Sequence, residues 1–278
     1  MRVLEAGQIT QLAAALYEKA VRFLPDDVLA ALQTAFEGET YPPAKRALGV
    51  MLDNARAAGE SGLPLCQDTG LCACFVRLGR DVRVEGDMVQ AINLGVALAT
   101  ERSYLRASVR HPLTGENTKN NTPVPLDVQW VAGEEFSLTV APKGAGSENK
   151  GRVVMLDPAA GVEGIAEQVV ETVRLAGGAP CPPVVVGVGV GGNLEGCALL
   201  AKRALLRPIG SANPEPEAAA LETELMARIN ALGIGPQGFG GATTALGVAV
   251  ETAPCHIASL PVGIALQCHV ARHATGSL

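Results

Sequence analysis

The chain has 278 residues, of which 48% are hydrophobic and 18% are charged, and its formal net charge is −6. This length can bury a sizeable core, and the composition is typical of a globular protein and excludes a disordered one. The negative charge argues against nucleic acid or an anionic membrane surface as the partner, although a local cluster of Arg or Lys could bind a small anion. The sequence has neither an apolar run of about 18 residues nor a secretory signal, so we expect a soluble, cytoplasmic protein.

The first 60 residues predict helices. Apolar residues recur at helical spacing over residues 9–23 and 28–36, and Asp26 and Asp27 after Pro25 form a typical helix start. A third helix is predicted over residues 43–58. We therefore expect a helical N-terminal part spanning about 1–60.

Strands and helices alternate in the rest of the chain. Short alternating or apolar runs predict strands at residues 74–78, 126–131 and 135–140, and helical spacing returns over residues 86–104 and 161–176. The Val/Gly run 182–190 predicts a buried strand that is followed by a helix over residues 194–207. The only Pro-rich spacer, residues 213–216, is too short to separate domains. These patterns predict one α/β domain, 1–278, in which mixed sheets covered by helices follow the helical N-terminal segment.

The cysteines are odd in number and scattered, which fits reduced thiols and metal ligation better than a disulfide framework. Two of them alternate along a predicted strand as core residues do, so part of the set is expected only to pack. The seven are Cys66, Cys72, Cys74, Cys181, Cys197, Cys255 and Cys268.

The most informative stretch is the octapeptide of residues 63–70, Leu-Pro-Leu-Cys-Gln-Asp-Thr-Gly. A thiol, an amide, a carboxylate and a hydroxyl follow one another, and Gly70 lets the backbone turn sharply after them. Soft metal-binding and polar substrate-binding groups therefore share one turn, which suits a metal that also performs chemistry. The alternative is a buried structural Cys66 beside an Asp/Thr turn.

Two other motifs have competing interpretations. Residues 187–192, Gly-Val-Gly-Val-Gly-Gly, satisfy the G-x-G-x-x-G spacing of a dinucleotide site, but the next suitable acidic residue, Glu215, falls in the Pro-rich loop. Close packing of a helix on the strand, or backbone amides that face an anion, is the alternative. His269 and His273 have a zinc-like H-x-x-x-H spacing, but C-x-x-C occurs nowhere, and the two histidines lie in a C-terminal tail that we expect to be solvated.

Two further cysteines have suggestive surroundings. Cys181 lies in Gly-Gly-Ala-Pro-Cys-Pro-Pro, where prolines fix the backbone on both sides of a thiol at the mouth of a strand. Cys268 ends the run Val-Gly-Ile-Ala-Leu-Gln-Cys of residues 262–268. His256 precedes that run, and a histidine on an apolar stretch is more often a core residue than a catalyst.

Five ordered segments together resemble the iron–sulfur hydro-lyases of the class I fumarase and tartrate dehydratase family, specifically their separate α subunit or N-terminal catalytic half. The matching segments are residues 64–70, 105–108 (Leu-Arg-Ala-Ser), 143–150 (Lys-Gly-Ala-Gly-Ser-Glu-Asn-Lys), 179–183 and 262–268. The resemblance covers nearly the whole chain, from the helical N-terminus to Arg272.

The resemblance implies a 4Fe-4S cluster held by Cys66, Cys181 and Cys268, in which one iron lacks a protein ligand and can act on the substrate as a Lewis acid. It also implies a substrate pocket lined by Gln67, Asp68, Arg106, Gly146 and His256. Within that set, His256 and Asp68 are the expected catalytic residues. The arginine offers a planar fork that suits a carboxylate.

The expected activity is the reversible hydration of fumarate to malate, a reaction of the tricarboxylic acid cycle. Residues 146–150 resemble the fumarase branch more than the tartrate branch; L-tartrate dehydratase remains the alternative, and a cluster-bearing sensor or scaffold is the alternative outside enzymes. Family members made of one chain carry a second domain, and this sequence stops at Leu278. We therefore expect a separate β subunit to complete the site, and a dimer of αβ pairs that has little activity without it.

Overall fold

The computed structural model describes residues 1–278. In chain order its elements are β1 (Arg2–Glu5), α1 (Ala6–Arg22), α2 (Asp26–Gly38), α3 (Pro42–Ser61), β2 (Leu71–Gly79), β3 (Val82–Glu85), α4 (Met88–Arg102), β4 (Leu126–Val131), β5 (Phe136–Lys143), α5 (Ala145–Glu148), β6 (Arg152–Leu156), α6 (Gly161–Ala176), β7 (Val184–Gly191), α7 (Leu194–Ala204), α8 (Pro216–Asn230), β8 (Ala245–Ala253), β9 (Leu260–Gln267) and β10 (Ala274–Ser277). None of the helices combines the length and the apolar character that crossing a membrane requires.

The α/β class, the three N-terminal helices and the mixed sheets are confirmed. Helix 161–176 has the predicted bounds, and strand 126–131 does as well. The predicted helix 194–207 ends earlier, at Ala204, and the predicted strand 182–190 begins only at Val184, after two prolines. The helical N-terminal part is preceded by strand β1, which pairs in parallel with β3.

The chain forms two compact units. Unit 1 comprises Met1–Pro25, Asn54–Ala145 and Arg272–Leu278, and unit 2 comprises Asp26–Asp53 and Gly146–Ala271. Helices α3 and α5 contribute residues to both units. The prediction of a single domain stays a prediction.

In unit 1, a four-stranded sheet of order β10-β5-β2-β4 packs against helices α1 and α4. Strand β2 is parallel to β4 and antiparallel to β5. Cys72 and Cys74 on β2 are 0% and 1% exposed and lie among the core residues, so their predicted packing role is confirmed. Burial raises the pKa of the Cys72 thiol well above its ordinary value.

The C-terminal tail is only partly solvated, because it forms strand β10, in which Thr275 and Ser277 are exposed and Ala274 is buried. Ala274 pairs with Val140 of β5, and Ala274 and Arg272 are only 5% and 3% exposed. The prediction of a solvated tail is therefore wrong for residues 271, 272 and 274. Backbone pairing with β5 provides the hydrogen bonds that water would otherwise supply.

In unit 2, a sheet of order β6-β9-β7-β8 carries helices α6 and α8 against one face, where valines 184, 186 and 188 of β7 point. On the alternate positions of β7, a Cβ atom at Gly187 or Gly189 would lie 2.2 Å from a backbone oxygen of helix α7. The glycines therefore let α7 pack directly on the sheet. This contact confirms the packing interpretation of the G-x-G motif.

Candidate active site

The loop that carries Cys66 is fixed within unit 1 between helix α3 and strand β2. The Leu65 N–H donates to the Val21 carbonyl at 2.8 Å, and the Asn54 side chain donates to the Leu65 carbonyl at 2.9 Å. Cys66 itself is partly exposed, and its thiol lies 3.4 Å from the exposed Gln67 amide oxygen. The hydrogen bonds on Leu65 thus hold the backbone and leave the thiol and the amide accessible.

Asp68 connects this loop to the end of strand β5. Its Oδ1 accepts the Gly70 N–H at 3.0 Å, and its Oδ2 accepts the Ala145 N–H at 2.9 Å. Gly70 has a φ of +72°, and a Cβ there would lie 1.9 Å from the Lys143 carbonyl oxygen. Only glycine can therefore occupy this turn, which places the Asp68 carboxylate against residues 144 and 145.

A buried arginine holds the same turn from the other side. Arg272 is 3% exposed, and its Nη2 donates to the backbone carbonyls of Asp68 and Thr69. Thr69 is itself 1% exposed. Hydrogen bonds of the Asp68 carboxylate and of the Arg272 guanidinium thus stabilise the turn that follows Cys66.

Arg106 lies on a separate loop of unit 1, and its side chain is exposed. The buried Asn121 orders this loop, because its Nδ2 donates to the Arg106 carbonyl at 3.0 Å and its Oδ1 accepts the Ser108 N–H at 2.7 Å. A single side chain therefore fixes the backbone of the segment 106–108. The Arg106 guanidinium extends from that fixed backbone.

In unit 2, the loop that carries Cys181 lies beside the segment that carries Cys268. The backbone N–H of His269 donates to the Cys181 carbonyl at 3.3 Å, and the His269 ring Nδ1 lies 3.0 Å from the same oxygen. A carbonyl only accepts, so Nδ1 carries the proton in this tautomer. Cys181 has a φ of +55°, a conformation that a non-glycine residue rarely adopts, and such strain is often found at functional sites.

Gly146 lies next to the Cys181 loop. A Cβ at residue 146 would lie 3.1 Å from the Ala179 carbonyl oxygen, so the backbone of the two segments approaches closely. Burial lowers the pKa of His269 below its ordinary value, while the bond to the Cys181 carbonyl acts in the opposite direction. Unit 2 therefore brings together Gly146, Cys181 and Cys268 at one edge of its sheet.

His256 lies at the opposite end of this sheet. Strand β9 ends one residue before Cys268, and the pairing of Val185 with the last residue of β9 puts the Cys181 loop at that same end. His256 precedes β9 by four residues, in a tight turn where the Ser259 N–H donates to its carbonyl at 2.9 Å. At about 3.3 Å per residue, β9 separates the two ends by about 23 Å. The structure therefore does not place His256 beside Cys181 or Cys268 of the same unit 2.

The His256 ring is oriented by its own turn. Its Nδ1 accepts the Ala258 N–H at 3.1 Å, so the neutral ring carries its proton on Nε2. The residue is exposed. Nε2–H is thus available as a hydrogen-bond donor to a ligand oxygen.

The thiols fall into two groups. Cys72, Cys74 and Cys197 are buried, whereas the other four are at least partly exposed, and none of the seven forms a disulfide. Among the exposed thiols, Cys255 lies beside His256 and donates to the Ser259 carbonyl at 3.2 Å. This leaves Cys66, Cys181 and Cys268 as accessible thiols outside that turn.

No group of three or more His, Cys, Asp or Glu side chains is placed to hold a single metal ion. Thiolate sulfur is the donor that iron–sulfur clusters use, and the cysteines of a cluster bind different irons. The donor chemistry of Cys66, Cys181 and Cys268 fits such a cluster. Cys66 belongs to unit 1, and Cys181 and Cys268 belong to unit 2.

An open groove of about 400 Å³ in unit 2 contains none of the predicted site residues. It is lined by Pro43, Arg46, Ala47 and Val50 of helix α3 and by Gln237 and Phe239. The lining is mainly apolar with one cation, which does not suit a dicarboxylate.

Three residues of the site were not assigned these roles from the sequence: Asn121, His269 and Arg272. Asn121 bonds backbone groups 13 and 15 residues away, and His269 and Arg272 bond carbonyls 88 and 204 residues away, so the pattern of neighbouring residues gives no sign of these contacts. The position of His269 directly after Cys268 is the one available signal in the sequence, whereas its H-x-x-x-H spacing with His273 indicated only a possible zinc ligand.

Comparison with known proteins gives consistent results. The family model described as fumarate hydratase (Fumerase) matches residues 10–277. A Methanocaldococcus jannaschii protein with the provisional name L(+)-tartrate dehydratase subunit alpha is 43% identical over 274 residues, covering 96% of each chain. The L(+)-tartrate dehydratase subunit alpha of Escherichia coli strain UTI89 is 34% identical over 275 residues, covering 97% of this chain and 90% of the relative.

Proposed function

The chain belongs to the fumarate hydratase family and is a hydro-lyase α subunit, and we propose that its reaction is the reversible addition of water to fumarate to give malate. The observation that carries the site assignment is the meeting of the Cys181 loop, the Cys268 segment and Gly146 at one edge of the unit 2 sheet. These segments are among those that carry the resemblance to the family. In the hydration direction, a hydroxyl adds to one olefinic carbon and a proton to the other.

We propose that Cys66, Cys181 and Cys268 hold a 4Fe-4S cluster with one iron that has no protein ligand. When bound, such a cluster supplies a Lewis acid for the substrate hydroxyl and the adjacent carboxylate. Accessible thiols in all three segments support this assignment.

The substrate is proposed to contact Gln67, Asp68, Arg106 and Gly146. Both Asp68 oxygens already accept a backbone N–H, but a carboxylate has about four lone-pair sites, so it can also accept from a substrate hydroxyl or a water. The exposed Arg106 fork can bind a substrate carboxylate with two parallel hydrogen bonds. Gly146 leaves room for the substrate beside the backbone.

His256 is proposed to act from a second copy of the chain. It lies at the far end of β9 from Cys181 and Cys268, so it cannot reach a cluster held by the same unit 2. A two-fold dimer would bring the His256 turn of one copy to the cysteine edge of the other. There its Nε2–H donates to the substrate and stabilises charge that develops on an oxygen.

A β subunit is proposed to complete the site. The relatives are named as alpha subunits, and this chain covers at least 90% of their length, so the arrangement of α and β chains is proposed to be shared. We also place the enzyme in the cytoplasm, a reducing compartment, because none of its seven cysteines forms a disulfide.

L-Tartrate dehydration is the second candidate. The names of the relatives favour it, and the chemistry is the same elimination of water from a hydroxylated four-carbon diacid. The two reactions differ at the carbon that loses the proton, which carries a second hydroxyl in tartrate. Specificity therefore depends on whether the pocket pairs that hydroxyl.

The test is an anaerobic assay of the reconstituted α chain, with and without the proposed β subunit, on fumarate, mesaconate and L-tartrate. We expect fumarate hydration by the pair and a loss of about 10² to 10⁴ in rate when the β chain is omitted, the usual effect of removing a positioned acid or base. Faster turnover of tartrate than of malate would establish the second candidate. A chain that binds iron but turns over none of these diacids with its β partner would point to a sensor or scaffold.

A further inference from the structure

The guanidinium of Arg272 is used in an unusual way. The residue is 3% exposed, and its Nη2 bonds the backbone carbonyls of Asp68 and Thr69, which lie 204 and 203 residues earlier in the chain. Its buried Nε and Nη1 have no hydrogen-bond partner. Both bonds of this side chain therefore go to the turn that follows Cys66.

This arrangement is unfavourable for the core alone. A buried charge is costly unless it is paired and fully hydrogen-bonded, and an apolar side chain of similar volume often serves stability as well or better. Arg272 makes no ion pair and leaves two donor nitrogens unsatisfied. The contacts of the residue thus favour a role other than filling space.

The two carbonyls that Arg272 binds are flanked by the contacts of Asp68. The Asp68 carboxylate accepts the N–H of Gly70 in the turn and the N–H of Ala145 at the start of helix α5. A cation therefore binds two carbonyls of the turn, while an anion binds one amide of the turn and joins the turn to residue 145. A charged donor bonds a carbonyl more strongly than a neutral donor does. An arginine can therefore hold the two peptide planes in one orientation where a glutamine would hold them weakly.

We propose that Arg272 is a positioning residue: its bonds to the Asp68 and Thr69 carbonyls fix the 66–70 turn and so set the direction of the Cys66 thiol and the Asp68 carboxylate. The importance of this role for catalysis rests on the proposed function, in which Cys66 is a cluster ligand. The ordering of the turn by Arg272 does not depend on that function and can be measured without a cluster.

The experiment compares wild type, Arg272→Met and Arg272→Lys of the full chain without cluster under anaerobic conditions. The matched control is Arg77→Met, because Arg77 belongs to the same unit but is exposed and paired with Glu135. The first measurement is the hydrogen-exchange rate of the Gly70 and Ala145 backbone amides. The second is the rate at which iodoacetamide alkylates Cys66 relative to Cys255, determined by mass spectrometry.

We expect Arg272→Met to raise both exchange rates and the relative Cys66 alkylation rate at least about tenfold, with a smaller effect for Arg272→Lys and none for Arg77→Met. A folded Arg272→Met chain with wild-type exchange and alkylation would overturn the proposal. If Arg272→Met does not fold, nitrogen-15 NMR of the arginine side chains in the wild type tests the proposal instead. Slow hydrogen exchange of the Arg272 guanidinium, together with NMR contacts to residues 68 and 69, supports the proposal. Hydrogen exchange as fast as at the Arg77 guanidinium contradicts it. Iron loading of the wild type, measured separately, tests the proposed function.

Discussion

His256 and Cys268 lie at opposite ends of strand β9, four residues before its first residue and one residue after its last. The strand is eight residues long, and antiparallel pairing with β6 on one side and with β7 on the other fixes its direction. A strand about 23 Å long therefore lies between two residues that the resemblance assigns to one pocket. The proposed assembly of two chains would resolve this separation.

Mixed dimers test that assembly. With the β subunit present, Cys181→Ser or His256→Ala as the only α chain should be inactive. A one-to-one mixture of the two variants should recover about a quarter of wild-type activity. The reason is that half of the dimers are mixed, and each mixed dimer has one site with both residues intact. The measurement is turnover of malate after co-expression from two differently tagged genes. An inactive mixture that is shown to contain mixed dimers would place both residues in the same copy.

The His256 ring should act through Nε2–H. His256→Ala should lower kcat by about 10² to 10⁴, and His256→Gln, whose amide can reach the position of Nε2, should recover part of that loss. The matched control is His111→Ala, because His111 is also exposed and its Nδ1 also accepts backbone N–H groups. Equal losses in the Ala and Gln variants would argue against the donor role.

The proposed ligand set should be separable from the other thiols by serine substitution. Loss of any one proposed ligand should abolish the visible absorbance and lower the iron content of the anaerobically reconstituted chain, because each thiolate binds its own iron. The substitutions are Cys66→Ser, Cys181→Ser and Cys268→Ser, with Cys255→Ser and Cys197→Ser as exposed and buried controls. Iron retained by Cys181→Ser but lost by Cys255→Ser would refute the assignment.

Gly70 and Gly62 form a matched pair, since both have a φ of +72° in unit 1. Gly62→Ala should cost about 1 to 2 kcal/mol, because a Cβ at residue 62 meets nothing within 4 Å and only the backbone strain remains. Gly70→Ala should cost at least about 3 kcal/mol, since its Cβ would overlap the Lys143 carbonyl. Urea unfolding of both variants measures the difference. Equal losses would mean that the 66–70 turn relaxes freely.

Alkaline pH should destabilise the fold through Tyr17. Burial raises the pKa of this phenol above its ordinary value of 10.0. Above pH 10 the unfolded chain loses the Tyr17 proton while the folded chain keeps it, so stability falls by about 1.4 kcal/mol per pH unit from this group. Urea unfolding of Tyr17→Phe between pH 9 and 11 should show a shallower decline. Tyr104→Phe, at an 87% exposed position, should follow the wild type, and an unchanged slope in Tyr17→Phe would contradict the expectation.

The elements that the sequence predicts best are those whose pattern is strong and local. Helix α6 has continuous helical spacing between two glycines, Gly161 and Gly177, and its predicted bounds match the structure. Helix α8 was missed because its first residue, Pro216, was assigned to a Pro-rich loop, although proline is favoured at the first helical position. Strand β10, Ala-Thr-Gly-Ser, has no apolar alternation, and it exists because the edge of β5 is there to pair with it.

The candidate site was predictable to the extent that it consists of side chains within recognisable segments. Cys66, Cys181 and Cys268 lie in such segments, and their accessibility agrees with that selection. The end of the sheet at which His256 lies depends on strand order and direction, which single-strand patterns do not contain. The contacts of Arg272 and His269 span 204 and 88 residues, so they follow from the fold and not from local sequence.

The composition of unit 1 has a consequence for the order in which the chain can fold during synthesis. Strand β10 and Arg272 belong to unit 1 but are translated only after the 126 residues from Gly146 to Ala271. At a translation rate of about 5 to 20 residues per second, β10 and Arg272 are synthesised on the order of 10 s after β5 and the 66–70 turn that they contact. Unit 2 can gather its own sheet on the ribosome during that interval. The turn that presents Cys66 would then be the last part to become ordered, which would delay insertion of the proposed cluster until Arg272 and β10 have been translated.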